Sequence, residues 1–192
     1  MKKVIALLLI GGFMMGCDTN AALTSDQQAE VKAIAKIAQF EGFRSDWYAC
    51  SAGVRTIGYG FTKGVLTEAE QKLTKMDRKT ADRILGREVR KIQKQVKGLV
   101  KRELTVGQQV ALISFVYNFG LPKFKSSTLL KRINDGSKDE VIAKEFGRWV
   151  YGGLYKKDKN GQFVLDANGK KIPVPLKGLV KRRAAEVSCW RA

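Results

Sequence analysis

The sequence of 192 residues contains no histidine and only three cysteines. Without histidine, the chain cannot form a Ser-His-Asp triad, a zinc site of the HExxH type or a histidine proton shuttle. Three cysteines are too few for a scaffold held by many disulfides or for an all-cysteine zinc site. We therefore expect neither a metal ion nor another cofactor.

Acidic residues are scarce relative to basic ones. Lysine and arginine together number 36, whereas aspartate and glutamate number 18, so the formal net charge is +18. Hydrophobic residues make up 44% of the chain, which is enough to build the core of one globular domain of this length. The aromatic content of 9% argues against a chain that is disordered throughout.

The first residues have the pattern of an export signal. Lys2 and Lys3 precede an apolar and small-residue run at residues 4–16. This run is shorter than the ~20 residues that a membrane-spanning helix needs, and a basic start before a short apolar run is typical of export. We therefore divide the chain into an export segment, residues 1–22, and a globular domain, residues 23–192.

Three fates remain open for the export segment. It is cleaved near residues 20–22, or Cys17 carries a lipid, or the segment stays as a weak anchor whose three glycines favour later release from the membrane. All three place the globular domain outside the cytoplasm, in the periplasm or at the periplasmic face of the inner membrane, where disulfides form. We expect a transient association of the segment with that membrane.

The basic excess has two possible classes of partner. Surfaces that bind nucleic acids combine clustered basic residues with aromatic side chains that stack on bases. The richest basic stretch, residues 87–102, contains no aromatic residue and has the pattern of an amphipathic helix. Together with the export signal, this argues against a nucleic-acid partner. We expect the charge to attract anionic polymers of the cell envelope, and we expect a monomer.

Helix starts are indicated by three capping-box patterns, in which Ser or Thr precedes Glu or Gln by three residues. The pairs are Ser25 with Gln28, Thr67 with Glu70, and Thr105 with Gln108. Apolar residues at helical spacing predict helices at residues 26–41, over much of the stretch after residue 67, and at 106–119, 128–134, 139–150 and 179–189. The 106–119 segment is apolar nearly all round, which is typical of a helix through the centre of a bundle.

Two glycine-rich segments predict β structure. Residues 43–64 contain short β-branched and aromatic pieces between glycines, which predicts a small hairpin or meander. Residues 154–175 contain two Asp-x-Asn-Gly turns eight residues apart, which predicts an exposed hairpin-like excursion. A calcium loop is the alternative there, but its twelve-residue ligand pattern is incomplete.

Glu41 is the most informative acidic residue. It follows Ile37 by four residues and Ile34 by seven, so it lies on the helix face that has to be buried. A carboxyl group at the end of an apolar stripe is either a structural group with satisfied hydrogen bonds or a functional acid. Desolvation favours its protonated form, which is what a general acid needs to protonate a leaving-group oxygen.

The sequence around Glu41 has a recognisable spacing. Cys50 follows Glu41 by nine residues, Thr56 follows Cys50 by six, and residues 40–60 read FEGFRSDWYACSAGVRTIGYG. This segment resembles the active-site region of the phage-type lysozymes, the phage T4 lysozyme class of glycoside hydrolases. That family has a Glu, then an Asp or Cys nine residues on, then a Thr six further.

Further stretches resemble the same family in the family's order. They read LTVGQQ at 104–109, ALISFVYNFG at 111–120, SSTLL at 126–130, FGRW at 146–149 and GLVKRRAAE at 178–186. The resemblance spans roughly residues 38–190. Within the family, the chain is most similar to secreted endolysins that contain a cysteine at the position of Cys50 and begin with a releasable signal anchor. It implies an α+β, mostly helical lysozyme-like fold, with a small N-terminal hairpin lobe, a larger helical lobe and a cleft between them.

The resemblance implies hydrolysis of the β-1,4 linkage between N-acetylmuramic acid and N-acetylglucosamine in peptidoglycan. Glu41 would be the general acid, Cys50 would stabilise developing positive charge or hold the attacking water, and Thr56 would orient that water. By analogy the reaction inverts the anomeric centre. The residues expected to touch the glycan are Gly60, Tyr117, Asn118 and Ser127.

Cys50 departs from the carboxylate that many relatives have. A thiol with an ordinary pKa of ~8.5 is mostly neutral at pH 7 and is a poor base. Arg44 or Arg55 would favour the thiolate, which could act as a nucleophile, or Asp46 would supply the missing negative charge.

The three cysteines also suggest redox regulation. Cys17, Cys50 and Cys189 are possible regulatory thiols. A disulfide to Cys50 would block the site in the anchored form and open on release from the membrane. The alternative is that the thiols are unpaired or only incidentally paired.

The sequence is also compatible with two other functions. One is a bacterial lipoprotein lysozyme that remodels or attacks walls, for which lipidation of Cys17 is the discriminating feature. The other is a catalytically inactive wall-binding lipoprotein, suggested by Cys50 in place of a carboxylate.

Overall fold

The computed structural model of the chain describes residues 22–50 and 53–192. The export segment up to residue 21, including Cys17, lies outside the described residues. Within the described ranges, none of the helices combines the length and the apolar character needed to cross a membrane. The described elements are mostly helical, with two small antiparallel sheets, as an α+β fold requires.

The first helix, α1 (Ser25–Glu41), forms where the sequence predicts it, but its cap differs. Thr24 and Gln27 form the capping box, one residue earlier than the predicted pair of Ser25 and Gln28, which is therefore wrong. The helix buries Ala29, Ala33 and Ile37, each four residues after the last, and Glu41 continues that stripe. Gly42 ends the helix with φ of 67°, a backbone conformation that glycine adopts without strain.

The small lobe is the predicted hairpin. Strand β1 (Arg44–Ala49) pairs antiparallel with β2 (Arg55–Gly58), with an irregularity in register between Arg44 and Tyr48. The Trp47 indole donates to the Leu73 carbonyl at 2.7 Å, which fastens the hairpin to the chain that follows the short helix α2 (Glu68–Gln71).

The large lobe is built around α4 (Val106–Phe119). Every residue from 108 to 116 in this helix is buried, as its apolar circumference predicts, and α1, α3 (Arg78–Leu99) and α8 (Lys177–Arg191) pack around it. The predicted capping box of Thr105 and Gln108 is confirmed. A single helical core therefore supports the end of α1 and the start of α8.

The remaining helices are short. They are α5 (Leu121–Lys125), which the sequence did not predict, α6 (Thr128–Asn134) and α7 (Asp139–Gly147). Helix α7 ends before the predicted residue 150 because Trp149 leaves the helix and packs edge-on against Phe115 and Phe119, with ring centroids 5.3 and 5.0 Å apart.

Residues 151–175, here called the basic arm, include the predicted exposed excursion at 154–175 and begin three residues earlier. Strand β3 (Tyr151–Tyr155) pairs with β4 (Pro173–Pro175). Two turns lie between them, and in each an aspartate side chain, Asp158 or Asp166, accepts two backbone N–H groups at 2.8 to 2.9 Å. These carboxylates therefore serve as turn caps.

Candidate active site

Glu41 lies at the junction of the two lobes, at the last residue of α1. Its Oε1 accepts a hydrogen bond from Nη1 of Arg182 in α8, and its side chain is 24% exposed. Its other oxygen, Oε2, faces Gly60, where a Cβ would lie 3.4 Å away. One carboxylate oxygen is thus fixed from the helical lobe, while the other faces the loop after the hairpin.

Arg182 is itself held by a buried polar network. Its Nη2 donates to the Ser114 carbonyl at 3.0 Å, and its Nε lies 3.3 Å from Ser114 Oγ and 3.4 Å from Glu186. Ser114 Oγ donates to Glu186 Oε1 at 2.7 Å, and both residues are fully buried. The guanidinium that contacts Glu41 therefore has little freedom to turn.

The network continues to Asn118. Arg183 donates to Glu186 at 2.7 Å and to Asn118 Oδ1 at 3.3 Å, and its guanidinium lies 4.8 Å from the ring centroids of both Phe115 and Phe119. Burial lowers the pKa of Arg183 to about 10 and raises the pKa of Glu186. The predicted glycan contact Asn118 is in this way oriented by a buried arginine.

Cys50 and Thr56 meet at one backbone carbonyl. The Cys50 N–H donates to the Val54 oxygen at 3.0 Å, and Thr56 Oγ1 donates to the same oxygen at 2.8 Å. Thr56 is 3% exposed and lies opposite Tyr48 in the hairpin register. The hairpin tip therefore joins the two residues, and only two residues separate Glu41 from the start of the same hairpin.

Tyr117 connects the central helix to the loop beside Glu41. Its hydroxyl donates to the Tyr59 carbonyl at 2.7 Å, in the residue immediately before Gly60. Burial raises the pKa of Tyr117 above its usual value, and the nearby Glu41 carboxylate adds to that effect. Glu41, Gly60 and Tyr117 are therefore neighbours, as expected for residues of one site.

Ser127 has a structural role as the N-cap of α6. Its hydroxyl donates to the Phe124 carbonyl at 2.7 Å and accepts from the Leu130 N–H at 3.1 Å, and the residue is 8% exposed. It lines a shallow cavity of about 330 Å³ at the start of α6. Contact of Ser127 with glycan stays a prediction.

The charged residues considered as helpers of Cys50 have other contacts. Asp46 accepts from Ser45 Oγ at 2.7 Å and lies 3.6 Å from Lys75, with its side chain 63% exposed. Arg44 lies 4.4 Å from the ring centroid of Tyr48. Arg55 lies 4.1 Å from the ring centroid of Trp47. A role of any of these three residues at Cys50 stays a prediction.

Sequence reasoning missed the residues that position Glu41. In the sequence, Arg182, Ser114 and Glu186 stand only within the stretches that resemble the family, and no pattern assigns them a role. The available signal was Arg182 and Glu186 at a spacing of four on a helix, which places opposite charges side by side. Nothing in the sequence indicates that this pair is buried and directed at Glu41.

Comparisons with known proteins agree with this architecture. The sequence model of the Phage lysozyme family matches residues 38–186. The endolysin of Acyrthosiphon pisum secondary endosymbiont phage 1 is 33% identical over 166 residues, covering 84% of this chain and 96% of that protein. The SAR-endolysin of Bacteriophage PS119 is 33% identical over 119 residues, covering 59% of this chain and 65% of that protein.

A solved structure extends the likeness to the fold. The muramidase domain of SpmX from Asticaccaulis excentricus superposes with a TM-score of 0.65 at 28% identity, covering 83% of this chain and 95% of that one. The predicted lysozyme-like fold is thereby confirmed. The match over residues 38–186 includes both the hairpin and the central helix, and the chain belongs to the phage lysozyme family.

Proposed function

We propose that this protein is an endolysin that hydrolyses the β-1,4 linkage between N-acetylmuramic acid and N-acetylglucosamine in peptidoglycan and so lyses bacterial cells. The observation that carries the proposal is the carboxyl group of Glu41, which Arg182 fixes at the end of α1 beside Gly60. Membership of the phage lysozyme family and the likeness to a muramidase domain support it.

Glu41 acts as the general acid. A glycosidic oxygen leaves as an alcohol only if it is protonated as the bond to the anomeric carbon breaks. Arg182 occupies Oε1, so Oε2 is the oxygen that meets the substrate on the side of Gly60. Gly60 has no side chain, which lets the sugar approach this oxygen closely.

Cys50 and Thr56 act on the second reactant, the water that attacks the anomeric carbon. Their shared contact with the Val54 carbonyl fixes both residues at the hairpin tip. The Thr56 hydroxyl orients the attacking water, and Cys50 holds that water or stabilises the positive charge that develops on the sugar. A water that attacks the face opposite the leaving group inverts the anomeric centre. Tyr117, Asn118 and Ser127 are proposed to contact the glycan.

The decisive experiment replaces the proposed acid. Glu41→Gln should abolish lysis of outer-membrane-permeabilised cells, measured as loss of turbidity, because an amide cannot donate the proton. Glu103→Gln is the matched control, since Glu103 is exposed and the change in charge is the same. Mass spectrometry of wild-type products should find N-acetylmuramic acid at the new reducing ends. Equal lysis by both variants would remove Glu41 from the mechanism.

The protein is proposed to reach the peptidoglycan by export through residues 1–22, with transient attachment to the inner membrane. The short apolar run after two lysines supports this, as does the relationship to a SAR-endolysin. The intact mass of protein purified from detergent-solubilised membranes and from the periplasm distinguishes a cleaved segment, a retained anchor and a lipid on Cys17. A mass that shows a lipid on Cys17 would favour the alternative function, a bacterial lipoprotein lysozyme.

A further inference from the structure

The basic arm, residues 151–175, carries an unusual concentration of exposed apolar side chains. Ten large hydrophobic residues are exposed in the described part of the chain, and half of them lie between residues 151 and 165. They are Tyr151, Leu154, Tyr155, Phe163 and Leu165, each 37 to 54% exposed. Apolar surface grouped in this way marks an interaction site more often than a feature of folding.

The arm is ordered by its own backbone and not by the helical core. Lys156 donates to the Ile172 carbonyl, Ile172 donates to Val164, and Val164 donates back to Lys156, at 2.9 to 3.2 Å. The base is closed by the Leu176 N–H, which donates to the Val150 carbonyl at 2.8 Å. From residue 151 to 171, Val164 is alone in being partly buried. The apolar side chains therefore project outward from a built scaffold.

Lysines surround these apolar side chains. The arm has five lysines and two aspartates, a net charge of +3. The Lys171 ammonium lies 4.0 Å and the Lys157 ammonium 5.1 Å from the ring centroid of Phe163. Both aspartates accept backbone hydrogen bonds in the turns, and within residues 151–175 neither forms a salt bridge with a lysine. Positive charge and apolar surface thus occupy the same face.

This combination fits the surface of an anionic bilayer better than the alternatives. A sugar ring stacks on a free aromatic face, whereas ammonium groups lie against the Phe163 ring. A second copy of the chain would bring two proteins of charge +18 together. At a bilayer, lysines meet anionic headgroups while aromatic and aliphatic side chains enter the interface.

We propose that the basic arm is a docking surface for anionic phospholipid, which holds the folded enzyme against the periplasmic face of the inner membrane. Lys157 and Lys171 contact headgroup phosphates, and Phe163 and Leu165 insert beside them. This contact is separate from the export segment and does not involve Glu41. It concentrates the enzyme in the layer between the membrane and the wall.

The test measures co-sedimentation of the full chain with vesicles of phosphatidylglycerol and phosphatidylethanolamine, with phosphatidylcholine vesicles as the neutral comparison. Lys157→Glu/Lys171→Glu should weaken partition to the anionic vesicles at least about tenfold, because each basic residue near such a surface contributes appreciably. Phe163→Ser/Leu165→Ser should weaken it about tenfold through loss of insertion. All variants keep the export segment, so its contribution cancels.

The matched control is Lys32→Glu/Lys94→Glu, which makes the same change in charge at exposed positions of α1 and α3. It should bind within about twofold of wild type if the arm and not the total charge decides partition. Arm variants that bind anionic vesicles like wild type overturn the proposal. Normal vesicle binding with lost binding to purified sacculi also overturns it and makes the wall the partner.

A second measurement does not depend on removing any charge. Phe163→Trp should show a blue shift in tryptophan emission, relative to the parent protein, with anionic but not with phosphatidylcholine vesicles. Val31→Trp, at a position 56% exposed on α1, should show none. An unshifted Phe163→Trp spectrum in the presence of bound vesicles contradicts insertion of the arm. The arm variants should lyse permeabilised cells at the wild-type rate, because the arm does not contribute to the chemistry at Glu41. Failure of the membrane proposal is therefore distinguishable from failure of the Glu41 proposal.

Discussion

Arg182 and Glu41 are 141 residues apart in the chain and form a direct ion pair in the structure. The arginine side chain is 5% exposed and belongs to the last helix, whereas the carboxylate ends the first. The proposed acid is therefore oriented by the helix that comes last along the chain. This relationship makes the geometry of the site depend on the docking of α8 against α1 and α4.

Removing the arginine should reduce both stability and activity. Arg182→Met leaves Glu186 and the Ser114 carbonyl without one of their donors, and breaking a buried pair costs about 3 kcal/mol, or roughly 6–12 °C in Tm for a chain of this size. Lysis measured well below the Tm should still fall at least about tenfold because Glu41 is no longer oriented. Arg191→Met, exposed on the same helix, should change neither. Wild-type lysis by folded Arg182→Met would contradict the positioning role.

Gly60 should be sensitive to the smallest added side chain. Its φ is 88°, and a Cβ there would lie 3.4 Å from Glu41 Oε2. Gly60→Ala should lower stability by about 1 kcal/mol through backbone strain and lower lysis at least about tenfold by crowding that oxygen. Gly53→Ala provides the control, since φ there is 75° and nothing lies within 4 Å of the added carbon. If Gly53→Ala loses as much activity, strain and not crowding is the cause.

Acid should weaken the fold through Glu70. Arg87 chiefly, with Thr67 and Arg83, lowers the pKa of this buried carboxyl to about 2 from 4.5. Because the folded-state pKa lies below the unfolded value, its stabilisation is complete above pH 4.5 and is lost as the pH falls toward 2. Melting curves across this range should show a falling Tm for wild type.

The variant Glu70→Gln should lose this part of the pH dependence. It should also unfold about 2 kcal/mol more easily at neutral pH, or roughly 4–8 °C lower, because Arg87 loses its carboxylate partner. Glu68→Gln changes an exposed residue of the same short helix and should follow wild type at every pH. Parallel curves for wild type and Glu70→Gln would show that other carboxyl groups govern acid unfolding.

Substitutions of Cys50 distinguish the roles proposed for its side chain. If the position needs only an acceptor near the attacking water, Cys50→Asp should lyse cells at least as well as wild type, and Cys50→Ala should lose at least about tenfold in rate. Cys50→Ser with full activity would show that the thiol is dispensable. Loss of activity in Cys50→Asp would favour a nucleophilic thiolate instead.

Redox control by thiols is a separate prediction. Cys189, in α8, carries a free thiol among the described residues, whereas Cys17 lies outside them. If Cys17 blocks Cys50 in the anchored form, reductant should raise the activity of protein isolated from the membrane, and Cys17→Ser should be active without it. Activity that ignores reductant, with a reduced Cys50 by mass spectrometry, would rule out the switch.

Local features were predictable because they depend on residues a few positions apart. The predicted caps at Thr67 and Thr105, the bounds of α4 and α6, and the two turns of the basic arm are confirmed. The capping box of α1 lies one residue earlier than predicted because Thr24 and Gln27 have the same Thr-x-x-Gln spacing. Helix α5 was not predicted because five residues are too few to show a helical periodicity.

The sequence alone determined the helices other than α5, the hairpin and the position of Glu41 at the end of a buried stripe, since capping, turn chemistry and helical spacing are local. Only the tertiary structure decided that Arg182 reaches Glu41, that Ser114 and Glu186 hold the arginine, and that Tyr117 bonds the loop before Gly60. Apart from the Arg182–Glu186 pair within α8, these contacts join residues 58 to 141 positions apart. Their geometry follows from how α8 and α1 pack on α4, which no local pattern specifies.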